Sequence, residues 1–539
     1  MTNKDIQHID NIIIGCGPAS LQCGYFFKKY NINYLILEKS NKCGSFFIKY
    51  PHAGTLISIN KKHTGNENKD FNLRHDWNSL LNDEGHLFTE YSDDFYPKKE
   101  KLVKYLNDFA KNNNLNIKFN KKVIKVSKKD GLYRIIVKNL EDKSQEIYTC
   151  NKLIMGTGLS KPNIPEYVIE VKEGIKHYSD YPQNYFLDKT NLEEFKNKSI
   201  LIIGGGNASF ELANMINEVS SSIFILGRNN RDWAISSHYT GDIRSIYLPF
   251  MDTFLLKSLN AIDYNNIFNI SNLKIVQNEN NNPYKVGILN SMNDKFPLIP
   301  NGRNIYDKII LCTGWKFDNS IFDFDVSMTI NNKYPFIKNN YESVNNDNLY
   351  FIGSLMHSLD YRKSSGGFIH GFRYLIKSFI NLNYNIPFVG KEIEFSSINE
   401  CIELVEYIIY RINTSSELYQ MFGFLGDIFY LDINEKKIIY FEGVPINSHN
   451  PINKQDNLFF VLTLEYGKKI TELSEIGKKV SNIGTESHST LIHPIIKIYN
   501  SYPLELIDVV HFDEDLFAEY IDRSKYYEKL FRTLKVYLP

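Results

Sequence analysis

Two short glycine-rich runs carry most of the chemistry this chain can do. The first is IIIGCGPASLQ, with Gly15, Gly17 and then Ser20 where a third glycine often stands. The second is LIIGGGNASFE, with Gly204, Gly206 and Ser209 at the same offsets. Little side-chain bulk at those offsets lets backbone N–H groups approach a pyrophosphate at the start of a helix. One such run is weak, because any tight turn from strand to helix needs small residues. Two runs, each after an apolar strand and before a helical pattern, point to two dinucleotide sites. Pro18 and Ala19 complete the first loop, and Asn207 and Ala208 the second.

The residue closing the second strand of each unit separates the ligands. Glu38 stands 23 residues after Gly15, where a carboxylate accepts hydrogen bonds from an adenosine ribose. The same distance after Gly204 stands Gly227, with Arg228 next. Losing the carboxylate and gaining a guanidinium suits a 2′-phosphate, which arginine binds bidentately. The expectation is FAD on the first unit and NADPH on the second. Read structurally, Arg228 is instead a solvated surface arginine. Further expected FAD contacts are Lys39, Gly44, Ser45 and Val123. Gly156, Thr157 and Gly158 lie at the end of the strand in LIMGTGLSKPNIP, and Gly353 in LYFIGS. Gly366 and Gly367 precede a helix whose positive end can face the flavin pyrimidine.

The elements that must position these residues read as an α/β chain with two Rossmann-like units. The boundaries expected are a FAD domain over 1–165, an inserted NADPH domain over 166–304, the rest of the FAD domain over 305–395, and a helix-rich extension over 396–539. Strands are expected around Val123 to Val126 and Tyr133 to Val137. The 62 basic and 62 acidic residues balance, so no field for nucleic acid arises. No apolar run is long enough to span a membrane. Six cysteines without a CxxC pairing imply no disulfide framework. No HExxH or zinc-type spacing is present, so no metal is expected.

The longer strings GSFFIKYP, LISINKKHTG, FNLRHDWNSLL, HYTGDIR, DYRKSSGGFIHGFRY and LYQMFGFLGDI resemble the FAD-dependent oxidoreductase domain-containing protein 2 family. These are endoplasmic-reticulum flavoproteins within the wider flavin-containing monooxygenase-like superfamily. The resemblance continues through LTLEYGKK and LIHPIIKIY near the end of the chain. It implies NADPH-driven flavin reduction followed by oxygen-dependent oxidation of a soft nucleophile at nitrogen or sulfur. It also places Asn60 where monooxygenases keep a hydrogen-bond donor near flavin N5. Two other readings stand beside it: electron donation to a disulfide on a partner protein, and a flavin-binding scaffold without turnover. The partner is then a small molecule or a protein disulfide. Cys43 lacks a cysteine five residues on, so an internal dithiol relay is not expected. Arg74, His75, Asp76 and Trp77 form the richest polar cluster, read as structural with a satisfied His–Asp pair. His357 and His370 flank the last FAD segment. The ends MTNKDIQ and VYLP lack the secretory and retention signals of animal members, so a cytoplasmic location is expected. The resemblance gives the endoplasmic reticulum as the alternative.

Overall fold

Apolar runs too short for helices and bounded by glycine turns become buried parallel strands. The computed structural model describes residues 6–166, 174–227, 233–247, 262–266, 273–277, 284–288, 305–329, 331–394, 401–432, 435–447, 458–467, 486–501 and 504–537. One parallel sheet runs in the order Leu349–Phe351, Lys152–Met155, Asn11–Ile14, Tyr34–Leu37, Ile117–Lys118. Asn11–Ile14 and Tyr34–Leu37 are buried at every position, as central strands covered on both faces must be. Helices Pro18–Lys29 and Ile369–Asn383 pack against each other and share one core with this sheet. A second sheet of this unit orders Ile6–His8, Gln145–Cys150, Leu132–Asn139 and Lys121–Lys129.

The second unit repeats the plan. Its parallel sheet runs Lys176–His177, Lys308–Leu311, Ser199–Ile203, Ser222–Gly227, Ile262–Asn266. Lys308–Leu311 pairs with Ser199–Ile203 in register from Ile200↔Lys308 to Ile203↔Leu311. The unit therefore extends past the boundary expected at residue 304. That strand returns to its own sheet before the chain crosses back, and the crossing lies in the Thr-Gly turn after it.

The C-terminal region holds the expected helices, Cys401–Thr414, Ser416–Gln420 and Glu528–Tyr537. They pack on one face of an unforeseen six-stranded antiparallel sheet. Its order is Gly390–Glu394, Lys437–Pro445, Leu425–Asp432, Leu458–Tyr466, Ile492–Ser501, Leu504–His511. Phe460, Leu462 and Leu464 enter one core with Leu404, Ile408 and Leu530, while Phe459 and Val461 enter another with Ile428 and Val444. With both faces covered, the strand reads as a continuous apolar run and loses its period-two signature. Among the described residues no helix is long and apolar enough to cross a membrane.

This region is joined to the first unit through buried cations. Arg74 donates to the carbonyls of Ser415 (3.1 Å) and Ile412 (2.8 Å). Lys377 pairs with Glu417 at 3.1 Å, and Arg411, within the C-terminal region, fixes that Glu417 together with Asp427 and Glu442.

Candidate active site

Gly15 leaves its strand at φ 96°, and its N–H donates to the Leu37 carbonyl at 2.8 Å. A Cβ there would lie 2.9 Å from the Gly156 carbonyl oxygen. Gly17 caps helix Pro18–Lys29 with no side-chain acceptor for the first-turn N–H groups. A Cβ built on Gly17 meets nothing within 4 Å, so open space faces that helix start. Ser20 is fully buried behind it, and its Oγ has no partner. Thr157 Oγ1 is likewise buried and unpartnered. Gly353, at φ 71°, lies so close to Ala19 that its Cβ would approach the Ala19 Cβ to 2.5 Å. Glu38, 4% exposed, accepts from Cys16 N (2.7 Å) and Ser40 N (2.8 Å), tying the loop to the strand end. An open cradle at a helix start, with orphaned hydroxyls around it, fits a dinucleotide pyrophosphate.

The other expected contacts fall around this loop. Gly44, at φ 70°, donates to the Cys16 carbonyl at 2.9 Å and starts the short helix that begins at Ser45. Lys39 is exposed. Val123 packs in the unit's core. A Cβ on Gly158 would lie 3.3 Å from Ser354 Oγ. Gly366 and Gly367 run over Asp360 and His357, and the helix after them starts at Ile369.

The second loop is built alike. Gly204, at φ 133°, donates to the Leu226 carbonyl at 2.8 Å, and Gly206 caps Asn207–Ile216 in front of open space. Ala208 and Ser209 occupy its first turn. Asn207 turns its side chain elsewhere. Its Nδ2 donates to the carbonyls of Gly241 (3.1 Å) and Asp242 (2.8 Å), and its Oδ1 accepts from Arg244 N (2.9 Å). That amide clamps a loop and is not free for a ligand. Arg228 lies outside the described residues.

The clamped loop, HYTGDIR, lies on the first unit. Tyr239 Oη is 2.9 Å from His357 Nε2, and His357 Nδ1 is 2.9 Å from the Asp360 carboxylate. Asp242 pairs with Arg362 at 2.7 Å. Arg244 donates to the Ile57 carbonyl at 2.9 Å and sits 4.8 Å over the Trp77 ring. Trp77 stacks on His370 at 4.3 Å, and His370 on Phe368 at 5.8 Å. Both His370 ring nitrogens are buried without partners. Burial, and then Arg373 and Arg244, hold that imidazole far below its usual pKa, so it stays neutral.

Asn60, bridged to Asp76 beside Trp77, does not present the donor expected of it. Its Nδ2 already donates to the carbonyls of Ser92 (2.7 Å) and Asp94 (3.2 Å). The unpartnered atom is Oδ1, so Asn60 offers an acceptor and not a donor. The expected His75–Asp76 pair does not form. Asp76 accepts from the backbone of Asn78 and Ser79, and His75 packs on Phe71. Sequence spacing also missed a cysteine pair: Cys16 Sγ and Cys43 Sγ are 3.1 Å apart, beside the phosphate loop and not at the seam. Tyr239, Asp242, Arg244, Asp360 and Arg362 were legible only as members of irregular polar strings.

Residues 12–353 match the family model described as pyridine nucleotide-disulphide oxidoreductase. The FAD-dependent oxidoreductase domain-containing protein 2 of Mus musculus is 34% identical over 535 residues, spanning 92% of this chain and 77% of that protein. The chain belongs to this family of flavoprotein oxidoreductases. Among solved structures, a flavin-containing monooxygenase from Stenotrophomonas maltophilia superposes with TM-score 0.51 at 16% identity, covering 70% of this chain and 99% of that one. The bacillithiol disulfide reductase of Bacillus cereus superposes with TM-score 0.50 at 17% identity, covering 70% and 100%. At such identities these two likenesses speak to fold alone.

Proposed function

We propose that the first unit binds FAD, the second binds NADPH, and that the seam between them is where NADPH reduces the flavin before oxygen oxidises a soft nucleophile at nitrogen or sulfur. The observation that carries this reading is the pair of open cradles at Gly17 and Gly206, with the HYTGDIR loop of one unit lying on the ring row of the other. FAD supplies two-electron chemistry when bound. Gly15, Gly17, Ser20, Glu38 and Thr157 hold its phosphates and ribose. Asn60 Oδ1 accepts a hydrogen bond at the seam, and His370, kept neutral, adds one donor and one acceptor. Gly204, Gly206 and Arg228 take the second nucleotide. The packed aromatic side chains limit water there.

Electron delivery to a disulfide on a partner protein is the second reading, favoured by the pyridine nucleotide-disulphide oxidoreductase match. The seam itself offers no dithiol among the described residues, since Cys16 and Cys43 sit at the phosphate loop. The test is anaerobic reduction by NADPH, followed by mixing with either oxygen plus a thioether or a small aromatic disulfide. Sulfoxide formed in step with NADPH consumption supports oxygenation. Thiol release with no oxygen requirement replaces it with the second reading. Failure of NADPH to bleach the flavin sinks both.

A further inference from the structure

Either acceptor in the proposed function has the same proton balance. Oxygenation consumes NADPH, a proton, oxygen and substrate, and returns NADP⁺, the oxide and water. Disulfide reduction consumes NADPH, a proton and the disulfide, and returns NADP⁺ and two thiols. In each case the electron pair leaves the nicotinamide as hydride, and one further proton must reach an oxygen or a sulfur at the seam. A site built for this needs a polar chain that ends there.

Such a chain crosses the seam. Asp360, fully buried, faces His357 Nδ1 at 2.9 Å and also accepts from Ser364 Oγ. That carboxylate fixes the proton on Nδ1. Nε2 then accepts from Tyr239 Oη at 2.9 Å and, more weakly, from Arg362 N at 3.4 Å. His357 is only 2% exposed, whereas Tyr239 is partly open. The other charged or titratable groups around the pair are Arg362 and Tyr361 on its own segment, Asp242 on the facing loop, and Tyr334 and Lys333 beside them. Docking of the two units does not need the relay, because Asp242–Arg362 and Arg244 to the Ile57 carbonyl already fasten the same loop. Thr240 Oγ1, which follows Tyr239 in the chain, is buried and unpartnered, and so are both ring nitrogens of His370 on the far side of Phe368.

We propose that Tyr239, backed by His357 and Asp360, delivers the proton that completes acceptor reduction. This inference rests on the proposed function for the existence of that acceptor. With His357 neutral, Nε2 accepts the tyrosine proton. With His357 protonated and facing Asp360, Nε2–H donates to Tyr239 Oη, and the tyrosine O–H turns outward. Transfer outward from Tyr239 is matched by transfer from Nε2 to Oη, leaving His357 neutral; because His357 is buried, its proton is restored by the reverse shift, from solvent through the partly open Tyr239. Tyr239 is the donor; His357 and Asp360 are positioning residues.

The test uses flavin-loaded protein reduced with dithionite, so that it does not depend on NADPH. Reoxidation by oxygen with a thioether, or by an aromatic disulfide, is followed in H₂O and D₂O. Wild type should show a solvent isotope effect with its competent acceptor. Tyr239→Phe should slow that step about a hundredfold and erase the isotope effect, while hydride transfer from NADPH changes less than about twofold. His357→Gln should also erase the isotope effect. An independent readout is the ¹⁵N spectrum of the His357 ring: a protonated Nδ1 and an accepting Nε2 in wild type, with the Nε2 resonance displaced in Tyr239→Phe. Equal slowing of both half-reactions, or an unmoved Nε2 resonance, overturns the proposal. If NADPH never reduces the flavin but the dithionite experiment gives the expected pattern, the nicotinamide assignment falls and the relay stands.

Discussion

The two dinucleotide units differ at one equivalent position. In each, the first glycine of the loop donates 2.8 Å to the last apolar residue of the next strand, Leu37 in one and Leu226 in the other. The residue after that leucine is Glu38 in the first unit and Gly227 in the second. Glu38 is engaged by Cys16 N and Ser40 N, so it organises the loop. The second unit has no such brace at Gly227. Its loop is instead held from the helix side, through Asn207 and the 241–244 turn. One fold thus stiffens its phosphate loop in two ways. Only the second couples that stiffening to the neighbouring domain.

The largest effect that would break this comparison comes from filling the cradles. Gly17→Val should abolish FAD retention in an otherwise folded protein, because the new side chain meets open space and not protein. Gly206→Val should leave FAD bound, as read by the flavin absorbance band, and abolish NADPH-driven reduction. If the two variants lose the same ligand, the division of ligands between the units is wrong.

A smaller effect should come from restoring the missing carboxylate. Gly227→Asp should weaken NADPH by roughly ten- to a hundredfold, about 1.5–3 kcal/mol, while sparing NADH. Arg228→Ala should cost about tenfold on NADPH alone. Stopped-flow reduction with each nucleotide separates these outcomes. Equal losses on both nucleotides would show that the position supports only the fold.

A third effect concerns the contact between the units at His52. This fully buried imidazole faces the Tyr178 carbonyl at 3.0 Å, and burial lowers its pKa to about 4. The folded chain then binds fewer protons than the unfolded chain between about pH 6.5 and 4. Stability from this group is complete above that window and is lost as pH falls through it, by at most roughly 3 kcal/mol. Denaturant melts across this range should show that slope, and His52→Phe should flatten it. The smallest effect is expected from Cys43→Ser, with flavin reduction changed less than about twofold. The neighbouring Cys43 and burial raise the Cys16 thiol well above its usual pKa, so Cys16 is not expected to act as a nucleophile.

The parts of this molecule legible in the sequence are those set by local sterics. Gly15, Gly204 and Gly353 stand at positive φ, and the strands around them are uniformly buried. Long-range pairings are not legible there. Cys16 meets Cys43, and Tyr239 meets His357, only because segments far apart in the chain end side by side. The amide of Asn60 reads as a donor because its chain position fits one. The carbonyls of Ser92 and Asp94 that consume its N–H groups lie 32 and 34 residues away. The middle of the C-terminal sheet is hidden for a different reason, since Leu425–Asp432 and Leu458–Tyr466 are buried on both faces and lose the alternation that marks a strand.

Arg74 has a consequence for how the molecule comes into being. Its guanidinium is buried at the junction of the first unit with the C-terminal region, and its acceptors, the carbonyls of Ile412 and Ser415, lie 338 and 341 residues further along the chain. As the polypeptide emerges during synthesis, water serves that cation until the C-terminal region arrives, and docking then exchanges water for the two carbonyls. Final burial of this face of the first unit is therefore a late step, tied to arrival of the C-terminal region.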